Sequence, residues 1–159
     1  MMRFLTFTIT VLLIAAPAWA DVERQAVGLL STVTASAGGS PTFVISVGVF
    51  QGETVPDKAH VATYLLFETK KARFAECKEA FFIVGEKRKK LPIQEHEIKY
   101  KNVEMLHLDD VTLGDIKRLS ANIDTASVKI CDDTFKLDKK HGADFRKFIR
   151  EANATAASK

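Results

Sequence analysis

Ser127-Val128-Lys129-Ile130-Cys131-Asp132-Asp133-Thr134-Phe135-Lys136-Leu137 is the stretch from which the fold can be read. Two short runs of alternating apolar and polar residues flank a pair of aspartates, the pattern of a β-hairpin with one buried and one wet face. With Asp132 and Asp133 at the turn, Val128 and Ile130 face Leu137 and Phe135, and Cys131 shares the polar face with Lys129, Thr134 and Lys136. Asp138 follows directly and suits a helix N-cap. Phe145, Phe148, Ile149 and Ala152 then recur at helical spacing, with Arg146, Lys147 and Arg150 on the opposite side. A hairpin running into an amphipathic helix implies a sheet that buries one face against helices. Residues 153–159 are expected to form a frayed, disordered tail.

Further upstream the apolar period changes several times. Thr112 followed three residues later by Asp115 marks a helix start, and Leu113, Ile116 and Leu119 give that short helix one apolar side. Thr42–Phe50 and residues 60–68 read as strands, and residues 81–84 as a third, stopped by Gly85, with Leu91 and Ile93 returning as its partner. Residues 22–34 carry Val27, Leu29, Leu30 and Val33 without clean alternation and suit either a short helix or an extended lead-in. Within residues 95–109, a two-residue turn at Lys101 and Asn102 would pair Tyr100 with Val103 and Ile98 with Met105. His96 would then face His107 on one side of the hairpin, and Lys99 would match Glu104 on the other. The expectation is one α+β domain over residues 21–152: a mostly antiparallel sheet of hairpins packed against a short helix and a C-terminal helix.

At the N-terminus, Arg3 precedes an uncharged apolar run from Phe4 to Ala16, then Pro17 and the small residues Ala18 and Ala20 around Trp19. These are the parts of a secretory signal peptide over residues 1–20, with Asp21 as the first mature residue. The run is short for a membrane anchor and no cysteine stands near the cut, so no stable anchor is expected after cleavage. The periplasm is the expected location, with full secretion as the alternative. Across all 159 residues the net charge is +3, and losing Arg3 with the leader makes it +2. That near-neutral balance gives no support to nucleic-acid binding.

Export alters the meaning of the two cysteines, because thiols in an oxidising compartment tend to pair. Cys77 and Cys131 allow one bridge, expected to be structural, since no Cys-x-x-Cys spacing is present. From Phe81 to Ala152 the chain resembles small bacterial exported α+β proteins of undetermined role. The resemblance is carried by Phe81-Phe82-Ile83-Val84-Gly85 with Leu91-Pro92-Ile93, by Thr112-Leu113-Gly114-Asp115-Ile116-Lys117-Arg118-Leu119, and by the quoted hairpin with Phe145-Arg146-Lys147-Phe148-Ile149. It implies the fold and brings no activity or site residues with it.

Three clusters are candidates for function. Lys87, Arg88, Lys89 and Lys90, with Lys70, Lys71 and Arg73 upstream, could contact a protein or an anionic envelope component, or form a solvated hairpin tip. His96 and His107 are candidate ligands for a soft divalent metal, although two imidazoles fall short of a zinc set. Asp109, Asp110 and Asp115 lack the spacing of a calcium loop and suit the electrostatics of a helix start. No serine sits in a Gly-x-Ser-x-Gly elbow, and neither a catalytic set nor a cofactor is expected. The reading is therefore an exported, non-enzymatic binding or interaction module of the cell envelope. The alternative is a small periplasmic metal-dependent or hydrolytic enzyme using His96 and His107.

Overall fold

A computed structural model describes residues 22–27, 30–69, 71–99 and 102–158. The expected signal peptide over residues 1–20, the expected cleavage point before Asp21, and Tyr100 and Lys101 at the expected turn lie outside the described residues. In chain order the elements are β1 (Val22–Val27), β2 (Leu30–Ala37), β3 (Thr42–Phe50), β4 (Ala62–Glu68), β5 (Glu79–Val84), β6 (Lys87–Lys99) and β7 (Val103–Leu108). Then come α1 (Leu113–Ala121), a 3-10 turn at Ile123–Thr125, β8 (Ala126–Ile130), β9 (Asp133–Lys136) and α2 (Lys139–Ala157). Every strand pair is antiparallel, and the nine strands lie in the order β1-β2-β3-β4-β7-β6-β5-β8-β9. The expected α+β class with a mostly antiparallel sheet is what the chain adopts.

Alternation decides which face is buried. In β3, Phe43, Ile45, Val47 and Val49 are buried while Thr42, Val44, Ser46, Gly48 and Phe50 turn outward. The neighbouring β2 buries Val33, Ala35 and Ala37, and these small side chains leave room for α2 to lie against β2 and β3. On α2, Phe145, Phe148, Ala152 and Ala156 form the buried stripe, and Phe145 meets Phe43 edge-on at 5.2 Å. Each such phenylalanine contributes about 1.5–3 kcal/mol by leaving water. α1 packs on α2 and β5 through Leu113, Ile116 and Leu119, so both helices cover the same face. The two long loops join them there: Gly52 N–H donates to the Ala156 carbonyl at 2.7 Å, and Phe74 packs on Phe67 and Phe135 at 4.8 and 6.1 Å.

Caps and turns follow local chemistry closely. Thr112 and Asp115 form a reciprocal capping box at α1, and Asp138 with His141 forms another at α2. Val84 pairs with Lys87, so Gly85 and Glu86 are the turn; Gly85 has φ +57 in first position, where a type II′ hairpin wants glycine.

Several expectations need correction. In place of a short helix or an extended lead-in over residues 22–34, residues 22–27 and 30–35 are paired antiparallel strands, with Val22 opposite Ala35 and Val27 opposite Leu30. Residues 153–157 are not a frayed tail but the end of α2, with Thr155 and Ala156 buried, because Ala156 continues the stripe one turn beyond Ala152. The Ser127 hairpin turns at Cys131 and Asp132, one residue earlier than read, so Val128 pairs with Phe135 and not Leu137. That slip moves each partner by two positions and leaves Val128 and Phe135 on one face.

Candidate functional site

His96 and His107 do not face each other. Lys99, not Tyr100, pairs with Val103, so three residues separate the strands, and His96 lies opposite Leu106 while His107 lies opposite Glu95. Lys-Asn is a weak two-residue turn, and the longer loop shifts the register by one. A shift of one turns a side chain over, so His96 joins the covered face and His107 the open one. His107 stacks on Tyr64 with ring centroids 4.6 Å apart and planes at 18°. The two candidate metal ligands therefore point to opposite sides of the sheet. Among the described residues no group of three or more His, Cys, Asp or Glu side chains is arranged to hold a metal ion.

The residue opposite His96 in function is Glu104, which the misread register had paired with Lys99 on the other face. Glu104 is fully buried on β7. Its carboxylate accepts from the backbone N–H of Arg73 through both oxygens at 3.0 Å, from that of Phe74 at 2.8 Å, and contacts His96 Nε2 at 2.7 Å. A buried carboxylate needs such donors. Here it fastens the loop between β4 and β5 that carries Phe74 under the sheet and leads to Cys77. Only a buried acid flanked by apolar core residues, Glu104 before Leu106 and Leu108, could have signalled it in the sequence.

Cys77 and Cys131 are disulfide-bonded, with Cα atoms 5.8 Å apart. The bridge ties that same loop to the β8–β9 turn, where Cys131 takes a positive φ of +49. Arg73 donates from Nη2 to Asp133 Oδ2 at 2.8 Å alongside it.

The basic run divides. It is the start of β6 and not a hairpin tip, so its side chains alternate between faces. Lys89 turns to the covered side, where its Nζ lies 2.7 Å from Asp115 Oδ2 and 2.6 Å from the Asp110 carbonyl. Asp115 also receives Arg118 Nη2 at 2.6 Å and the Thr112 hydroxyl at 2.8 Å. Burial alone would raise the Asp115 carboxyl, but the Lys89 ammonium and the Thr112 donors outweigh it and hold the group below its ordinary value. Asp115 thus works at the helix start, whereas Asp109 accepts the neighbouring Asp110 N–H at 2.8 Å in the loop before it.

Arg88 and Lys90 remain on the open face, and strands distant in sequence bring them company. Phe81 lies between Lys90 on one side and Lys129 on the other; Ile83 lies between Arg88 and Ser127, and Ser127 is followed by Lys136. Two parallel rows result, Lys90-Phe81-Lys129-Thr134 and Arg88-Ile83-Ser127-Lys136. Glu79 is paired with Lys90. Among the described residues, Arg88, Lys129 and Lys136 have no ion-pair partner. Neither Lys129 nor Lys136 stood out in the sequence, because each sits singly in a short amphipathic strand.

His141 is buried at the start of α2. Its Nδ1 lies 2.7 Å from Asp138 Oδ1 and its Nε2 lies 2.9 Å from the Pro41 carbonyl. The His141 backbone N–H, joined by its imidazole, outweighs burial and holds the Asp138 carboxyl below its ordinary value. Asp144 accepts the Gly38 N–H at 3.0 Å, so α2 clamps the β2–β3 connection from two positions. A Cβ on Gly39 would lie 2.0 Å from His141 Cε1, which explains the glycine there. The shape of the surface is shallow at both depressions of note, each ≈ 330 Å³ and open to solvent. One lies along α2 beside Arg146 and Ile149, and the other lies between Thr42, Leu66 and Val103.

The arrangement defines an open-faced antiparallel sheet domain, with helices on one side and two cation-flanked apolar rows on the other. No protein-family model matches this chain, and no curated protein or solved structure is significantly similar to it.

Proposed function

We propose that this chain is an exported, non-enzymatic binding module of the cell envelope, acting in the periplasm or outside the cell, and that its working surface is the open face of the sheet. The observation that carries this reading is the sheet's asymmetry. Both helices and both long loops pack on one face, whereas the other presents half-buried Val44, Tyr64, Leu66, Met105, His107, Phe81 and Ile83 beside free cations. Half-exposed apolar and aromatic side chains rimmed by charge are what recognition surfaces are made of. The groups that chemistry would draw on are engaged elsewhere: His96 with Glu104, His141 with Asp138 and Pro41, Asp115 with Lys89, Arg118 and Thr112. The paired cysteines agree with an oxidising destination.

The test combines location and attachment. N-terminal sequencing of fractionated cells should find a chain beginning at Asp21 in the soluble exported fraction. The purified protein should be retained on washed envelope material, and the Lys129→Glu/Lys136→Glu double variant should not. A cytoplasmic full-length chain with reduced thiols, or equal retention of wild type and variant, would overturn the reading.

A further inference from the structure

We propose that the outward face of β6, β5, β8 and β9 seats an acidic polysaccharide, gripped by Arg88, Lys90, Lys129 and Lys136 around a floor of Phe81 and Ile83. The inference deepens the binding-module reading and rests on it, since export is what brings such polymers within reach. Charge complementarity selects the occupant. Three of the four cations have no ion-pair partner among the described residues, and they come from three strands, β6 and β8 held in register by β5, and β9 by β8. Strands stand about 4.8 Å apart, so Lys90 and Lys129 are separated by about 10 Å across Phe81, and Arg88 and Lys136 by about 14 Å across Ile83 and Ser127. That is a flat, rigid array of spaced positive charge, and its match is a chain carrying anionic groups at intervals.

The floor between the charges narrows the choice. Phe81 and Ile83 are half-buried, whereas Arg88, Lys90 and Lys136 beside them are exposed. An apolar strip between cations suits the apolar faces of sugar rings, with carboxylates or phosphates reaching the cations on either side. A bilayer surface asks for apolar side chains that protrude beyond the charges. The described large apolar residues that are well exposed are Val27, Leu30, Phe50 and Ile98; the first three lie on β1 to β3, at the other end of the strand order. Lys89 is excluded from the contact although it stands in the middle of the basic run, because Asp115 holds it on the covered face.

The experiment uses the processed, disulfide-bonded protein with polygalacturonate as the probe, alongside neutral dextran, single-stranded DNA and phosphatidylglycerol vesicles. Polygalacturonate should bind, dextran should not, and affinity should fall steeply between about 50 mM and about 200 mM salt, as counterion release requires. Lys129→Glu/Lys136→Glu should weaken binding at least tenfold. Lys58→Glu/Lys139→Glu makes the same change in net charge away from this face and should leave binding within twofold. The single tryptophan of the chain, Trp19, lies in the expected leader, so Phe81→Trp places a lone indole on this strip of the processed protein. Its emission should shift on addition of polygalacturonate.

Absent binding, equal weakening by both double variants, or an indole that does not respond would overturn the site. Tighter binding to single-stranded DNA or to vesicles would overturn the class of partner. Retention on envelope material without affinity for the polymer would also overturn it, while leaving the binding-module reading in place.

Discussion

Glu104→Ala should be among the most damaging single substitutions on the sheet. The carboxylate is fully buried and meets three donors at 2.7–3.0 Å, two of them backbone N–H groups of Arg73 and Phe74 and the third His96 Nε2. Truncation removes the acceptor and strands these donors under the sheet. Leaving one buried polar group unpaired costs about 1–3 kcal/mol, and breaking a buried charged network costs about 3–5 kcal/mol. Against a typical domain stability of about 5–15 kcal/mol, such a loss takes a large share. Urea denaturation followed by far-UV circular dichroism should show a midpoint lowered by about 1 M or more, given slopes of about 1–3 kcal/mol per molar for small proteins. Glu104→Gln keeps one carbonyl but turns an amide toward a donor, and should cost about 1–3 kcal/mol. Trypsin reports the local consequence, since Lys71 and Arg73 lie in the loop that Glu104 fastens and should become cleavable under conditions where wild type resists. A Glu104→Ala protein within about 1 kcal/mol of wild type, with an uncut loop, would refute the claim that this carboxylate anchors the loop.

The remaining expectations concern the bridge, a helix start and a tight contact. Reduction should add two hydrogens to the intact mass, and Cys77→Ser/Cys131→Ser should lose up to about 4 kcal/mol for a bridge spanning 54 residues, read as a drop in melting temperature. Asp115 is held below its ordinary value near 3.8, so the native state binds fewer protons than the unfolded chain; the stabilisation is present above about pH 4 and is lost as pH falls through the interval down to the folded value. Wild type should accordingly exceed Asp115→Asn in stability at pH 6 by a margin that shrinks at pH 3, and a margin independent of pH would contradict the ion-pair account. Gly39→Ala, whose Cβ would meet His141 Cε1 at 2.0 Å on a backbone at φ +147, should cost about 1–3 kcal/mol in the same urea assay. An unchanged denaturation midpoint there would show that the β2–β3 connection is not clamped as described.

The two hairpins show where a sequence can be read and where it cannot. In both, the expected register was wrong. Around Cys131 the turn moved by one residue, partners moved by two, and Val128 stayed on the buried face with Phe135. Between His96 and His107 the loop lengthened by one residue, partners moved by one, and the two histidines parted to opposite faces. Burial of Leu106 and Leu108 on β7 decides between those registers, and it is a property of the assembled core.

What the sequence determined by itself is what short-range chemistry controls: the α+β class, the caps at Thr112 and Asp138, the buried stripe of α2, the strand at Thr42–Phe50 and the one bridge two cysteines allow. These depend on periodicity, on hydrogen bonds between residues three apart, and on composition. Only the tertiary structure decided which strands become neighbours. Placing β7 beside β4 and β8 beside β5 buries Glu104 under its loop and brings Lys129 and Lys136 to Arg88 and Lys90. The physical reason is that strand pairing is non-local. Residues some forty positions apart become neighbours at about 4.8 Å spacing through backbone hydrogen bonds that carry no side-chain signature.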